Sequence, residues 1–110
     1  MRRVLAALVM LGVATAAAAA LAADPPEIAL TIEKNRFQPD EIKVKAGVPF
    51  VLVVTNKDAA PIEFECKELR VEKVVPPGAT VKVRIRALKP GSYPFVDDFH
   101  HETTGRIVAE

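Results

Sequence analysis

Residues 80–86 read Thr80-Val81-Lys82-Val83-Arg84-Ile85-Arg86, the cleanest alternation in the chain. Val81, Val83 and Ile85 fall on one side of an extended backbone, and Lys82, Arg84 and Arg86 fall on the other. A period of two marks a strand with one buried and one wet face. The same beat recurs on both sides of this stretch. Upstream, Ile28, Leu30 and Ile32 alternate with Ala29 and Thr31, and Ile42 and Val44 alternate with Lys43 and Lys45. Residues 49–56 (PFVLVVTN) are apolar on both faces and read as a central strand. Ile62, Phe64 and Cys66 oppose Glu63 and Glu65, and Leu69 and Val71 oppose Arg70 and Glu72. Downstream, PGSYPFV (90–96) and GRIVA (105–109) are two further strands, the last expected near the centre of a sheet. Pro76-Pro77-Gly78 and Lys89-Pro90-Gly91 punctuate them as turns. Nothing after residue 24 carries a helical period. Seven or eight short strands between regular turns predict an all-β Greek-key sandwich or barrel.

The first residues, MRRVLAALVMLGVATAAAAALAAD, have another character. Arg2 and Arg3 precede an apolar run, and Ala20-Leu21-Ala22 ends it as a small-x-small cleavage site. This predicts a signal peptide over residues 1–22, a single domain over 23–110, export to the periplasm and no membrane span after cleavage. Without Arg2 and Arg3, thirteen basic residues face fourteen acidic ones, a net charge of −1. So balanced a chain lacks the field expected of a nucleic-acid binder. One cysteine, Cys66, excludes an internal disulfide. No phosphate cradle and no nucleophile with a positioned base is legible. The row Lys82, Arg84, Arg86, with Arg70 and Lys73, reads as a wet face that also guards against edge pairing, or as a docking stripe for an acidic partner.

The chemistry-bearing segment is FVDDFHHE, residues 95–102, expected in a loop between two strands. It holds the chain's two histidines, His100 and His101, beside Asp97, Asp98 and Glu102. Such a run is a solvated turn or a metal site.

The order of turn residues and aromatics resembles the cupredoxins. It runs Phe37, Pro39, Ile42, Val44, Gly47, then Asn56, Pro61 and Phe64, then Gly78, then Leu88, Pro90, Gly91, Tyr93 and Phe95, then a histidine, Gly105, Ile107 and Val108. The match extends from about Thr31 to Glu110. The resemblance implies a metal site of two histidines, a cysteine and usually a methionine. Here the first histidine position falls on Ile62 and the cysteine position on Asp97. The second histidine stands as His100. Both methionines, Met1 and Met10, lie in the predicted signal. The pattern is more similar to small exported cupredoxin-like proteins with the signature Asn56, Asp58, Glu63-Phe64-Glu65, Leu69, Glu72-Lys73-Val74, Pro77-Gly78, Phe99-His100. These accompany ferrous-iron permeases, which implies a periplasmic metal-handling role for an inner-membrane permease or its periplasmic components. Cys66 stands where that subgroup has serine.

The candidate metal ligands are His100, Glu63, Asp97 and Asp98, with His101, Cys66, Glu65 and Glu102 in support. An oxygen-rich, nitrogen-poor set suits Fe²⁺, Mn²⁺ or Zn²⁺ better than Cu⁺. His101 points away from His100 if the segment is extended. Cys66 reads as a buried small hydrophobe, or as a soft ligand that would bring copper back. Glu102 joins the site or is plain loop. Two rivals stay open: a copper-dependent redox protein or ferroxidase partner, and a metal-free interaction domain. All require the strands to bring Glu63 and His100 to the same rim of the fold.

Overall fold

The computed structural model describes Gly12 and residues 24–110. The signal-peptide reading of residues 1–22 lies outside those residues. No helix among the described residues is long and apolar enough to cross a membrane.

Nine strands follow in order: β1 Glu27–Glu33, β2 Arg36–Gln38, β3 Glu41–Val44, β4 Phe50–Asn56, β5 Ile62–Cys66, β6 Val71–Val75, β7 Thr80–Ile85, β8 Gly91–Asp97 and β9 His100–Ala109. They form two mixed sheets, β2-β1-β4-β7 and β3-β9-β8-β5-β6. The fold is therefore all-β, as the alternation predicts. β4 lies between β1 and β7, an interior strand as its apolar run predicts, and β9 lies inside the larger sheet. β1 pairs in parallel with β4, and β3 in parallel with β9.

Three local expectations change. β2 is an additional strand; with Phe37 as its one core residue it is too short to show a period. Leu69 is not on a strand. Lys67–Leu69 form a 3₁₀ turn that buries Leu69, and Arg70 follows in the left-handed region at φ 55°. FVDDFHHE is not an open loop. β8 runs through Asp97 and β9 starts at His100, so only Asp98 and Phe99 make the turn.

The inward rows of both sheets meet in one core. Leu30, Leu52, Val54, Phe64 and Ile107 are wholly buried within it. Three rings anchor the core. Phe37 meets Phe95 edge-on at 4.8 Å, and Phe64 lies 5.1 Å from Phe95. Such contacts add about 0.5–1.5 kcal/mol per pair beyond the area buried.

Two polar devices fasten the loops at one end. Asn56, fully buried, donates from Nδ2 to Ala60 O and Val75 O, and its Oδ1 accepts from the Asp58 N–H. Asp58 in turn accepts the N–H groups of Lys34 and Asn35, the two left-handed residues of the β1–β2 turn. The Asn-x-Asp pair of the sequence signature is thus a structural clasp.

Gly105 on β9 shows how closely the layers approach. A Cβ there would stand 2.4 Å from the Phe95 ring and 2.8 Å from Asp40 O. The ring cannot leave without opening the aromatic cluster. Gly105→Ala is expected to destabilise the fold by about 3 kcal/mol, the upper end for overpacking, read as a lower denaturant midpoint with an unchanged m-value.

Candidate functional site

Asp97 ends β8 facing inward, opposite Phe64 in the register, and is 1% exposed. A carboxylate in that position must be satisfied locally. Its Oδ1 accepts the backbone N–H groups of Glu63 and Phe99, both at 3.0 Å. Its Oδ2 lies 2.8 Å from Nδ1 of His100, whose side chain is partly exposed. An ionised carboxylate can only accept, so Nδ1 carries the hydrogen and Nε2 is the nitrogen left open. Asp97 therefore orients His100 and ties it to the start of β5. The Glu63 backbone N–H and the His100 ring thus meet at one carboxylate.

The side chains divide differently. Glu63 and Glu65 alternate with the core-facing residues of β5, so they lie on the outer face of the larger sheet. Glu65 is the cross-strand partner of Glu72 on β6. One carboxylate oxygen from each of Glu63, Glu65 and Glu72 lies within 4.8 Å of the others. Asp98 adjoins them; its N–H donates to Glu63 O at 2.8 Å. His101 joins the same group through Nε2, 3.0 Å from Asp98 Oδ1. Glu65 is the least exposed of these acids, its side chain only 7% accessible. The nearest cation, Lys67 Nζ, is 4.0 Å away and itself largely in solvent.

Desolvation holds the Glu63 carboxyl above its ordinary value of 4.5, and the charges of Glu72, Asp98 and Glu65 push it the same way. Glu65 is raised likewise, first by desolvation and then by Asp98 and Glu72, with Lys67 opposing. The arrangement favours protons or cations over three bare charges.

The expected residues thus fall into two adjoining groups. Asp97 and His100 form one at the sandwich rim. Glu63, Glu65, Asp98 and His101 form the other on the outer face, with Glu72 added. Glu72 belongs to the signature in the sequence, but its place as a third carboxylate comes from the β5–β6 register. Glu102 is exposed and, among the described residues, joins neither group. Cys66 is wholly buried on the core side of β5, and burial pushes its thiol up. Among the described residues it converges with no set of three ligating groups. Ile62 is core, Asp97 is engaged by the Glu63 and Phe99 N–H groups and His100, and residues 24–110 hold no methionine.

The family model for the cupredoxin-like domain matches residues 3–109. An uncharacterized protein of Rickettsia prowazekii (strain Madrid E) is 34% identical over 82 residues, 74% of this chain and 66% of that protein. The chain thus spans just under two thirds of that relative. Among solved structures, one similar fold is the metal-binding domain of the Cu(I)-exporting P-type ATPase CopA of Streptococcus pneumoniae D39, determined with Cu(I). Its TM-score is 0.68 at 15% identity, over 76% of this chain and 84% of that one. Amicyanin from Paracoccus versutus has a TM-score of 0.60 at 20% identity, over 80% of this chain and 83% of its own. At such identities the likeness is one of fold.

The raised carboxyls set the sign of a pH effect. A folded-state pKa above the unfolded one means that the stability present below the unfolded value is lost as pH rises through the folded value. Glu63→Gln is expected to raise the urea midpoint at pH 7, with the gain vanishing below the ordinary carboxyl value of 4.5. Urea titrations of both proteins across that range check it.

Proposed function

Because the chain belongs to the cupredoxin-like domain family, we propose that it is a periplasmic metal-handling protein whose cation is held by carboxylate oxygens rather than by thiolate and thioether, and that this cation is ferrous iron bound for an inner-membrane permease. The observation that carries the reading is Glu65, a carboxylate all but removed from solvent, converging with Glu63 and Glu72 and offset only by the solvent-exposed Lys67 Nζ at 4.0 Å. Desolvated negative charges gathered in this way are costly unless a cation compensates them. Oxygen donors with imidazole nearby suit Fe²⁺, Mn²⁺ or Zn²⁺. His101 reaches the group through Asp98. His100, oriented by Asp97, supplies an open nitrogen at the adjoining rim. The choice of iron, the permease and the periplasm draw support from the sequence signature and the signal-like N-terminus. A copper-dependent redox or ferroxidase-partner role is less favoured, because Cys66 is enclosed and residues 24–110 hold no methionine.

Anaerobic calorimetric titration with Fe²⁺, Mn²⁺, Zn²⁺ and Cu⁺ tests the proposal. Fe²⁺ is expected to bind at micromolar concentration and to raise Tm, as any ligand of the native state alone must. Glu65→Gln is expected to weaken it at least tenfold, and Cys66→Ser to leave it unchanged. Copper-stimulated ferrous oxidation lost in Cys66→Ser would instead establish the redox role. Failure of all four ions to bind would reduce the protein to a metal-free docking domain.

A further inference from the structure

β6 and β7 are each one of the two edge strands of their sheet and lie side by side along one flank of the sandwich. Between them lies a cleft of about 540 Å³, lined by Arg70, Val71, Glu72, Lys73, Lys82, Val83 and Arg84. Val83 is buried and Val71 half-buried, which gives the cleft an apolar floor. Its walls are basic. Lys82 is neutralised by Glu27 at 2.7 Å. Arg70, Lys73 and Arg84 have no carboxylate within 4.0 Å among the described residues. Glu72 also lines the cleft, but one of its carboxylate oxygens lies within 4.8 Å of those of Glu63 and Glu65, and it makes no ion pair within 4.0 Å with Arg70, Lys73 or Arg84. In a chain whose described residues are close to neutral, three unpaired cations meet in one cleft.

Two details separate this from ordinary edge protection. Edge lysines that only deter pairing need not converge on one cleft. Arg70 also occupies a left-handed backbone position, φ 55°, where glycine or asparagine would be unstrained. Strain kept at a charged, cleft-lining residue points to a use for its side chain.

We infer that the β6–β7 cleft binds an extended, acidic segment of a partner protein, its carboxylates meeting Arg70, Lys73 and Arg84 and its apolar side chains resting on Val71 and Val83. The shape favours a segment over a small anion: the cleft is open-ended and follows two strand edges, and arginine forks match carboxylates in pairs. The inference does not depend on the metal reading: Glu72 borders both places, but none of the three cations belongs to the carboxylate cluster.

A fluorescein-labelled octaglutamate peptide serves as probe, with fluorescence anisotropy as readout in about 50 mM NaCl, below physiological ionic strength, where screening is weaker. The protein is expected to bind it, and the triple variant Arg70→Ser/Lys73→Ser/Arg84→Ser to bind at least tenfold more weakly with an unchanged Tm. A control triple, Lys43→Ser/Lys45→Ser/Lys89→Ser, removes as much charge elsewhere and is expected to keep wild-type binding, as is Glu65→Gln. Equal weakening in the control triple would overturn the inference, since attraction would then be diffuse. So would displacement of the peptide by inorganic phosphate at equal charge concentration, which would make the cleft a small-anion site, or an absence of binding.

Discussion

A single carboxylate, that of Asp97, holds one end of the molecule together. It lies out of solvent and accepts from three groups on two different stretches of chain: the Glu63 amide on β5, and the Phe99 amide and His100 ring of the β8–β9 turn. A charge in that environment is tolerated because each partner is a donor at short range. It closes the hairpin to two residues, aligns β5 beside β8, and sends one histidine toward the rim. The neighbouring aspartate, Asp98, extends to the outer face instead. Adjacent acids thus serve opposite sides of one sheet, one as scaffold and one as part of a charged cluster.

β6 repeats the division at the sheet edge. Opposite β5, Glu72 falls in the row with Glu65, whereas Lys73 falls in the row with Phe64 and lines the β6–β7 cleft. The alternation of a strand therefore places Glu72 and Lys73, neighbours in sequence, in opposite rows of the sheet. A one-residue slip of β6 would exchange the two rows. The buried Asn56 side chain opposes that slip, because it bonds the carbonyl of Val75 at the strand's end.

The fold was legible because its signal is repetitive. Eight of the nine described strands announce themselves as apolar stretches, alternating or continuous, between turn residues, and the ninth is too short to do so. The 3₁₀ turn at Lys67–Leu69 was hidden because Leu69 keeps the apolar phase of a strand while its backbone curls. The site was legible only in its residue types. Counting donors along FVDDFHHE suggests one cluster, but direction decides, and direction depends on a bulge. Val96 pairs with Thr104 and Asp97 with His100, so residues 101–103 have no partner on β8. Thr103 is then pinned to Asn35 of the β1–β2 turn. No local pattern encodes that detour, and it separates the surroundings of His100 from those of His101. Glu72 was equally beyond local reading, since its convergence with Glu63 and Glu65 arises from cross-strand register.

The enclosed thiol of Cys66 has a consequence for how the protein can be observed. It sits where β5 passes into the 3₁₀ turn, wholly shielded and with ionisation discouraged by burial. The thiolate is the reactive species, so an alkylating reagent meets it only when that junction opens. As the chain has no second cysteine, the labelling rate is an intrinsic clock for local opening beside the acidic cluster, requiring no engineered probe.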